Sequence, residues 1–245
     1  MNNMCIKNIT SILRKLQLTK GTFIRWIAMT SLLGGCMTLF ALLYLDQYTW
    51  SIANLPKYVP IRQAIIYLNY LGSWQIISSM IASLWICGYL AVVYKPSIAT
   101  KPEMKSASWT LLFSFVSVIG TGFAVKVLKF LVGRARPWSV VDSTWVSCPL
   151  SLSDQFASFP SGHAATAGAI ATSLIFVFPK CRWLTLILFT LVAFSRILLG
   201  VHYPSDIAAG LTVGIIGAMK ASAILAPVEK LGKLRTQIPR RLLWS

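Results

Sequence analysis

Long apolar runs separated by short polar or basic segments fill this chain from end to end. Six of them, over residues 26–45, 73–94, 109–131, 161–178, 183–199 and 205–225, approach the length of about 20 residues that a helix needs to cross roughly 30 Å of hydrocarbon. In lipid, every backbone N–H and C=O has to be satisfied inside the protein, so the runs are predicted to be helices. The fold class is therefore all-α: one polytopic bundle of six transmembrane helices over residues 26–226, flanked by a basic N-terminal segment, 1–25, and a basic tail, 227–245. Residues 1–25 hold Lys7, Arg14, Lys15, Lys20 and Arg25 and no acid, which places the N-terminus on the cytoplasmic side. Counting spans from there puts segments 46–72 and 133–159 outside, the second a polar loop with Arg134, Arg136, Asp142 and Asp154, and puts the turn with Lys180 and Arg182 inside together with the tail. Within the first outer segment, the half-apolar stretch 61–71 reads as a short helix lying in the interface. Gly210, Gly214 and Gly217 place small residues along the sixth span, where a neighbouring helix is expected to approach closely, and Gly34 and Gly35 do the same for the first.

Composition agrees with this picture and charge refines it. With 56% hydrophobic and 12% charged residues and a mean hydropathy of +0.68, the 245 residues fall outside the range of soluble domains. Twenty-three Lys and Arg against six Asp and Glu give a net charge of +17, a surplus that in a soluble protein would point to nucleic acid. Here most basic residues lie just outside apolar runs, where they fix topology, so the expected partners are membrane lipids and no nucleic acid. Cys5, Cys36, Cys87, Cys148 and Cys181 have no metal-ligand spacing, and only Cys148 falls in an outer segment, so no disulfide framework is expected.

Both histidines of the chain sit at the edge of an apolar run, His163 in Phe159-Pro160-Ser161-Gly162-His163 and His202 in Gly200-Val201-His202-Tyr203-Pro204. In the six-span topology, Lys129, Arg136, Ser161, His163, Arg196, His202 and Asp206 all fall at the outer ends of the third to sixth spans. Lysine within an apolar helix costs a few kcal/mol unless it snorkels, the simple reading for Lys126, or finds a partner. Three fixed cations, Lys129, Arg136 and Arg196, held near a low-dielectric boundary call for an anion. The planar fork of arginine and the point charge of lysine suit a phosphate. Ser161 and Gly162 open a helix whose free N–H groups and dipole would add to the same anion site, and Gly162 lets the backbone come close. Asp206 follows His202 by four residues, near the helix start set by Pro204, so its carboxylate could hold one imidazole nitrogen and leave the other free to attack phosphorus. His163 could then protonate the leaving oxygen. With the cations neutralising the transition state, such a site needs no metal or other cofactor. Two histidines and a carboxylate can ligate zinc, but the surrounding positive charge opposes that.

Lys129 with Arg136-Pro137, then Pro160-Ser161-Gly162-His163, then Ser195-Arg196 with His202 and Asp206, resembles the tripartite signature of the type 2 phosphatidic acid phosphatase superfamily. The match covers residues 129–206 directly and has no substitution at a key position. The resemblance implies a six-helix membrane bundle with cytoplasmic termini and an extracytoplasmic histidine phosphatase site. It implies His202 as nucleophile held by Asp206, His163 as acid, and Lys129, Arg136, Ser161, Gly162 and Arg196 around the phosphate. The expected substrate is a lipid phosphate in a bacterial inner membrane: phosphatidylglycerol phosphate, phosphatidic acid, undecaprenyl pyrophosphate or a lipid A phosphate. A phosphotransferase that passes the phosphoryl group to a second lipid, or a carrier that only binds, uses the same cradle.

Overall fold

The computed structural model describes residues 20–49, 51, 59–70, 72–95, 97, 102–140 and 143–237. Among them the chain forms seven α-helices: α1 (Lys20–Tyr44), α2 (Val59–Tyr70), α3 (Trp74–Tyr94), α4 (Pro102–Val132), α5 (Gly162–Val177), α6 (Arg182–Leu198) and α7 (Pro204–Gln237). Short 3-10 turns join them, and an antiparallel bridge between Arg134 and Ser147 pins the long connection from α4 to α5.

Four stretches are long and apolar enough to cross a membrane: Gly21–Tyr44, Trp74–Tyr94, Ser108–Val132 and Pro204–Leu225. They match the expected first, second, third and sixth spans. The expected fourth and fifth correspond to α5 and α6, which have 16 and 17 residues. At about 1.5 Å per residue they reach about 25 Å, a little less than the roughly 30 Å of hydrocarbon, and the turn Pro179–Cys181 joins them. The interfacial stretch is helical, as α2. At the C-terminus the helix does not stop at Leu225: α7 runs on to Gln237, through residues expected as tail. Lys20, expected in the basic N-terminal segment, already begins α1. Residues 1–19 and 238–245, and with them most of the two expected basic segments, lie outside the described residues.

α5 is the central helix. Its Ala164, Ala165, Ala167 and Ala169 are all buried, so it presents small side chains in several directions at once. α7 meets it with glycines: a Cβ at Gly210 would stand 2.4 Å from the Ser161 carbonyl oxygen, and one at Gly214 would stand 2.1 Å from that of Ala165. Gly217 lies against Thr121 of α4, and Gly34 of α1 against Thr212 of α7. These contacts bring backbones together, as small-residue packing between membrane helices does. α6 covers another side of α5 with an amphipathic face, Thr185, Phe189, Val192, Ala193 and Arg196, recurring every three to four residues. Its opposite face, with Leu184, Ile187 and Leu191, is exposed, as are Leu33 and Phe40 of α1 and Leu84 and Trp85 of α3; in a bilayer these meet lipid.

The close approach of α5 and α7 can be tested by single substitutions. Gly214→Ala places a methyl on the Ala165 carbonyl and is expected to cost about 1–3 kcal/mol. Gly35→Ala, with nothing within 4 Å of the new Cβ, is expected to be neutral within about 0.5 kcal/mol. Thermal unfolding of the two variants in detergent separates these outcomes; equal melting would contradict the packing.

Candidate active site

The functional side chains meet at one end of the bundle because the helices are cut and turned there. α4 carries Lys129 in its last turn and stops at Gly133, whose φ of +59° suits glycine and whose Cβ would strike the Cys148 carbonyl oxygen at 1.9 Å. The N–H of Gly133 closes on the Lys129 carbonyl at 2.8 Å, and the loop then runs through Arg134 and Arg136. It returns to Ser161, which caps α5 by accepting from the Ala164 N–H at 3.4 Å. α6 ends after Arg196, and Gly200, at φ +66°, turns the chain into His202 and Tyr203. Pro204, favoured in a first helical turn, starts α7 and puts Asp206 in that turn. From there the Asp206 carboxylate accepts the Tyr203 N–H at 2.9 Å, the return half of a capping box.

One residue of this end, read from sequence only as part of a polar loop, bonds to several elements at once. The Arg134 side chain has no exposed surface. Its Nη1 donates to Asp206 Oδ1 and to Ser205 Oγ, both at 2.7 Å, and its Nη2 donates to Asp46 Oδ2 at 2.8 Å and to the Thr144 carbonyl at 2.5 Å. The guanidinium carbon lies 3.9 Å from the ring centre of Tyr203 and 4.6 Å from that of Trp145, so the cation also lies over two aromatic rings. Asp46, expected to begin an outer loop, is instead buried just beyond α1, where it accepts from the N–H and the hydroxyl of Ser205 at 2.9 and 2.5 Å. Ser158 donates to Asp206 Oδ2 at 2.5 Å.

That oxygen of Asp206 also faces Nδ1 of His202 at 3.4 Å. The carboxylate is close enough to act on the ring electrostatically, although the direction of Nδ1 leaves it without a formed hydrogen bond. Burial pushes the His202 imidazole well below its ordinary value; Asp206 pulls the other way, while the charges of Lys129 and Arg196 reinforce burial. The ring is therefore neutral at pH 7, and with Asp206 favouring a proton on Nδ1, Nε2 keeps its lone pair.

The remaining sequence-predicted residues gather around this pair. His163, second residue of α5, has Arg196, Lys129 and Arg136 as its charged neighbours, and Gly72 packs so closely that a Cβ there would lie 2.8 Å from its ring. Lys129 donates to the Ala157 carbonyl and Arg196 to the Asn69 side chain on α2, leaving the buried Arg196 Nε without a partner. Arg136 is held by the exposed carboxylate of Asp154 at 2.7 Å and by its carbonyl at 2.8 Å. Ser161 is buried and donates its N–H to the Asp206 carbonyl at 3.0 Å. All eight predicted residues thus lie at one end of the bundle, and the structure adds Arg134, Asp46, Ser158, Ser205, Asn69 and Asp154. Asp142 lies outside the described residues. Among the described residues no three His, Cys, Asp or Glu side chains form a metal-holding group.

The family model described as PAP2 superfamily matches residues 110–226, from α4 into α7. A lipid A 1-phosphatase of Rhizobium johnstonii is 31% identical over 164 residues, covering 66% of each chain. An undecaprenyl-diphosphatase of Sulfolobus acidocaldarius is 37% identical over 106 residues, 43% of this chain and 48% of that one. The chain spans about half to two thirds of the length of such relatives. Among solved structures, a transmembrane PAP2-type phosphatidylglycerolphosphate phosphatase from Bacillus subtilis shares the fold, with a TM-score of 0.55 at 21% identity over 84% of this chain and 96% of that one.

The state of His202 is directly measurable, because the chain has two histidines and hence two sets of ring nitrogens. On lowering pH through about 6.5, where a free imidazole is half protonated, His202 is expected to stay neutral, with its proton on Nδ1, in ring-nitrogen NMR. The unfolded chain, with an ordinary value near 6.5, takes up a proton there that the folded chain refuses, so this burial favours folding less as pH drops below about 6.5. A midpoint for His202 near 6.5 in the folded protein would contradict the burial argument.

Proposed function

Because the chain belongs to the PAP2 superfamily through residues 110–226, we propose that it is a membrane-bound lipid phosphatase that works through a phosphohistidine and needs no metal. The observation that carries the proposal is the contact of Asp206 with Nδ1 of a buried, neutral His202 at the level of Lys129, Arg136 and Arg196. A site that only bound phosphate would need the cations but not an imidazole backed by a carboxylate.

In this reading the three cations and the first turn of α5 seat the phosphate. Glycine at 162 supports it, since a Cβ there would meet only Val125 Cγ1 at 3.7 Å and packing gives no reason to omit one. A phosphate seated against the backbone does. The lone pair of His202 Nε2 forms a bond to phosphorus as the bond to the leaving oxygen breaks, and His163 gives that oxygen its proton. The substrate's own negative charges offset the cations around His163 and let it carry the proton. Nδ1 keeps its hydrogen, so the ring becomes cationic beside Asp206. Water, losing a proton to His163, then attacks phosphorus; the N–P bond breaks, and inorganic phosphate and the dephosphorylated lipid leave. The basic flanks support cytoplasmic termini, with α5 and α6 completing six crossings and the site on the outer face of a bacterial inner membrane. The names of the relatives direct the choice of substrates toward lipid A phosphates and undecaprenyl pyrophosphate, beside phosphatidic acid and phosphatidylglycerol phosphate.

The test is phosphate release by the purified protein in detergent with EDTA present, across those four lipids. Release from at least one of them, undiminished by EDTA and lost in a folded His202→Ala variant, is expected. Turnover retained in His202→Ala would overturn the nucleophile. Phosphate appearing on an added acceptor lipid, with little free phosphate, would identify a transferase instead.

A further inference from the structure

We propose that Asp46, just beyond the end of α1, is a positioning residue for this chemistry: by sharing Arg134 it leaves Asp206 with the negative charge that His202 needs as it becomes cationic. The inference rests on the nucleophile reading above and extends it to a part of the chain outside the matched residues 110–226.

The charge count makes the case. Asp46, Arg134 and Asp206 have fully buried side chains, and one guanidinium bonds to both carboxylates. A buried Arg134–Asp206 pair alone would be neutral, and Asp206 would have little attraction left for its other neighbour. With Asp46 on the second nitrogen, the trio carries one net negative charge, and the oxygen that faces His202, Oδ2, is not the one that Arg134 holds. When Nε2 bonds to phosphorus and Nδ1 keeps its proton, the ring gains one positive charge, which this surplus matches in a medium of low dielectric.

The geometry acts in the same direction. One Asp46 oxygen accepts the Ser205 N–H and the other its hydroxyl, so Asp46 grips the residue immediately before Asp206. The same hydroxyl accepts from Arg134 Nη1. The first turn of α7 is thereby tied to α1, and the orientation of the Asp206 carboxylate with it. Arg134 reaches across 88 residues of sequence to Asp46 and 72 to Asp206, so each motif alone is incomplete.

The experiment is a double-mutant cycle of Asp46→Asn and Asp206→Asn, with kcat and KM measured separately. Asp46→Asn keeps the shape and several hydrogen bonds but removes the charge. It is expected to lower kcat about 10- to 100-fold, the range seen for groups that orient a functional histidine from behind, with KM changed less than about 3-fold. In the Asp206→Asn background the same change is expected to have almost no further effect, because Asp46 acts through Asp206. A purely structural role makes the two effects multiply, and wild-type kcat in Asp46→Asn overturns the proposal outright. If Asp46→Asn does not insert, Ser205→Ala keeps every charge and removes the hydroxyl between Asp46 and Arg134. A fall in kcat of about 3-fold or more with KM held supports the coupling, and unchanged kcat contradicts it. Inactivity of His202→Ala alongside a fully active Asp46→Asn would sink this inference alone, whereas an active His202→Ala would sink the reading beneath it.

Discussion

A guanidinium with no exposed surface cannot be left half-paired, and the end of the bundle that holds Arg134 is built around that constraint. Removing one partner from a buried ion pair costs about 3–5 kcal/mol, because an uncompensated charge stays behind. Arg134 therefore fixes where the first turn of α7, the turn after α1 and the loop around Thr144 and Trp145 stand relative to one another. The same interaction supplies the electrostatics of the site, since Asp206 is at once a partner of Arg134 and the neighbour of His202. Stability and chemistry thus share one network, and the network needs elements from both ends of the chain.

The glycine-rich contact of α7 with α5 is what makes the network possible. His163 and Ser161 lie at the start of α5 and Asp206 at the start of α7, and a wider helix separation would pull them apart. Gly210 is in contact with the Ser161 carbonyl, one turn from Asp206, so the close approach occurs at the depth of the site. The cation side works differently. Lys129 donates to the Ala157 carbonyl and Arg196 to the Asn69 side chain, while Arg136 donates to the carbonyl and to the 81% exposed carboxylate of Asp154. An exposed pair of this kind is worth under about 1 kcal/mol, so it holds Arg136 only weakly.

Much of this was legible in the sequence. The six apolar runs gave six helices a place, the half-apolar stretch 61–71 gave α2, and the glycine spacing on the sixth run announced its close packing. Seven of the eight candidate site residues could be grouped from span counting alone, because each sits at or near the place where an apolar run begins or ends, and Gly162 lies between two of them. Three things were hidden. Arg134 reads as loop polarity beside Arg136, and only the fold buries it. Asp46 reads as the first polar residue after a span, although a signal existed: with six acids among 245 residues, one at the very edge of an apolar run calls for a cationic partner. Asn69, which meets Arg196, carries no pattern at all; its role exists only once α2 lies against α6.

The central claim is that His202 forms a bond to phosphorus, and the direct measurement is to trap it. A lipid phosphate labelled on phosphorus is mixed with the protein, quenched rapidly with base, digested and analysed by mass spectrometry. The account requires label that is stable to base, lost in acid, and carried on the peptide containing His202. Label on another residue, or turnover with no labelled protein under conditions where release of phosphate is the slow step, would contradict it.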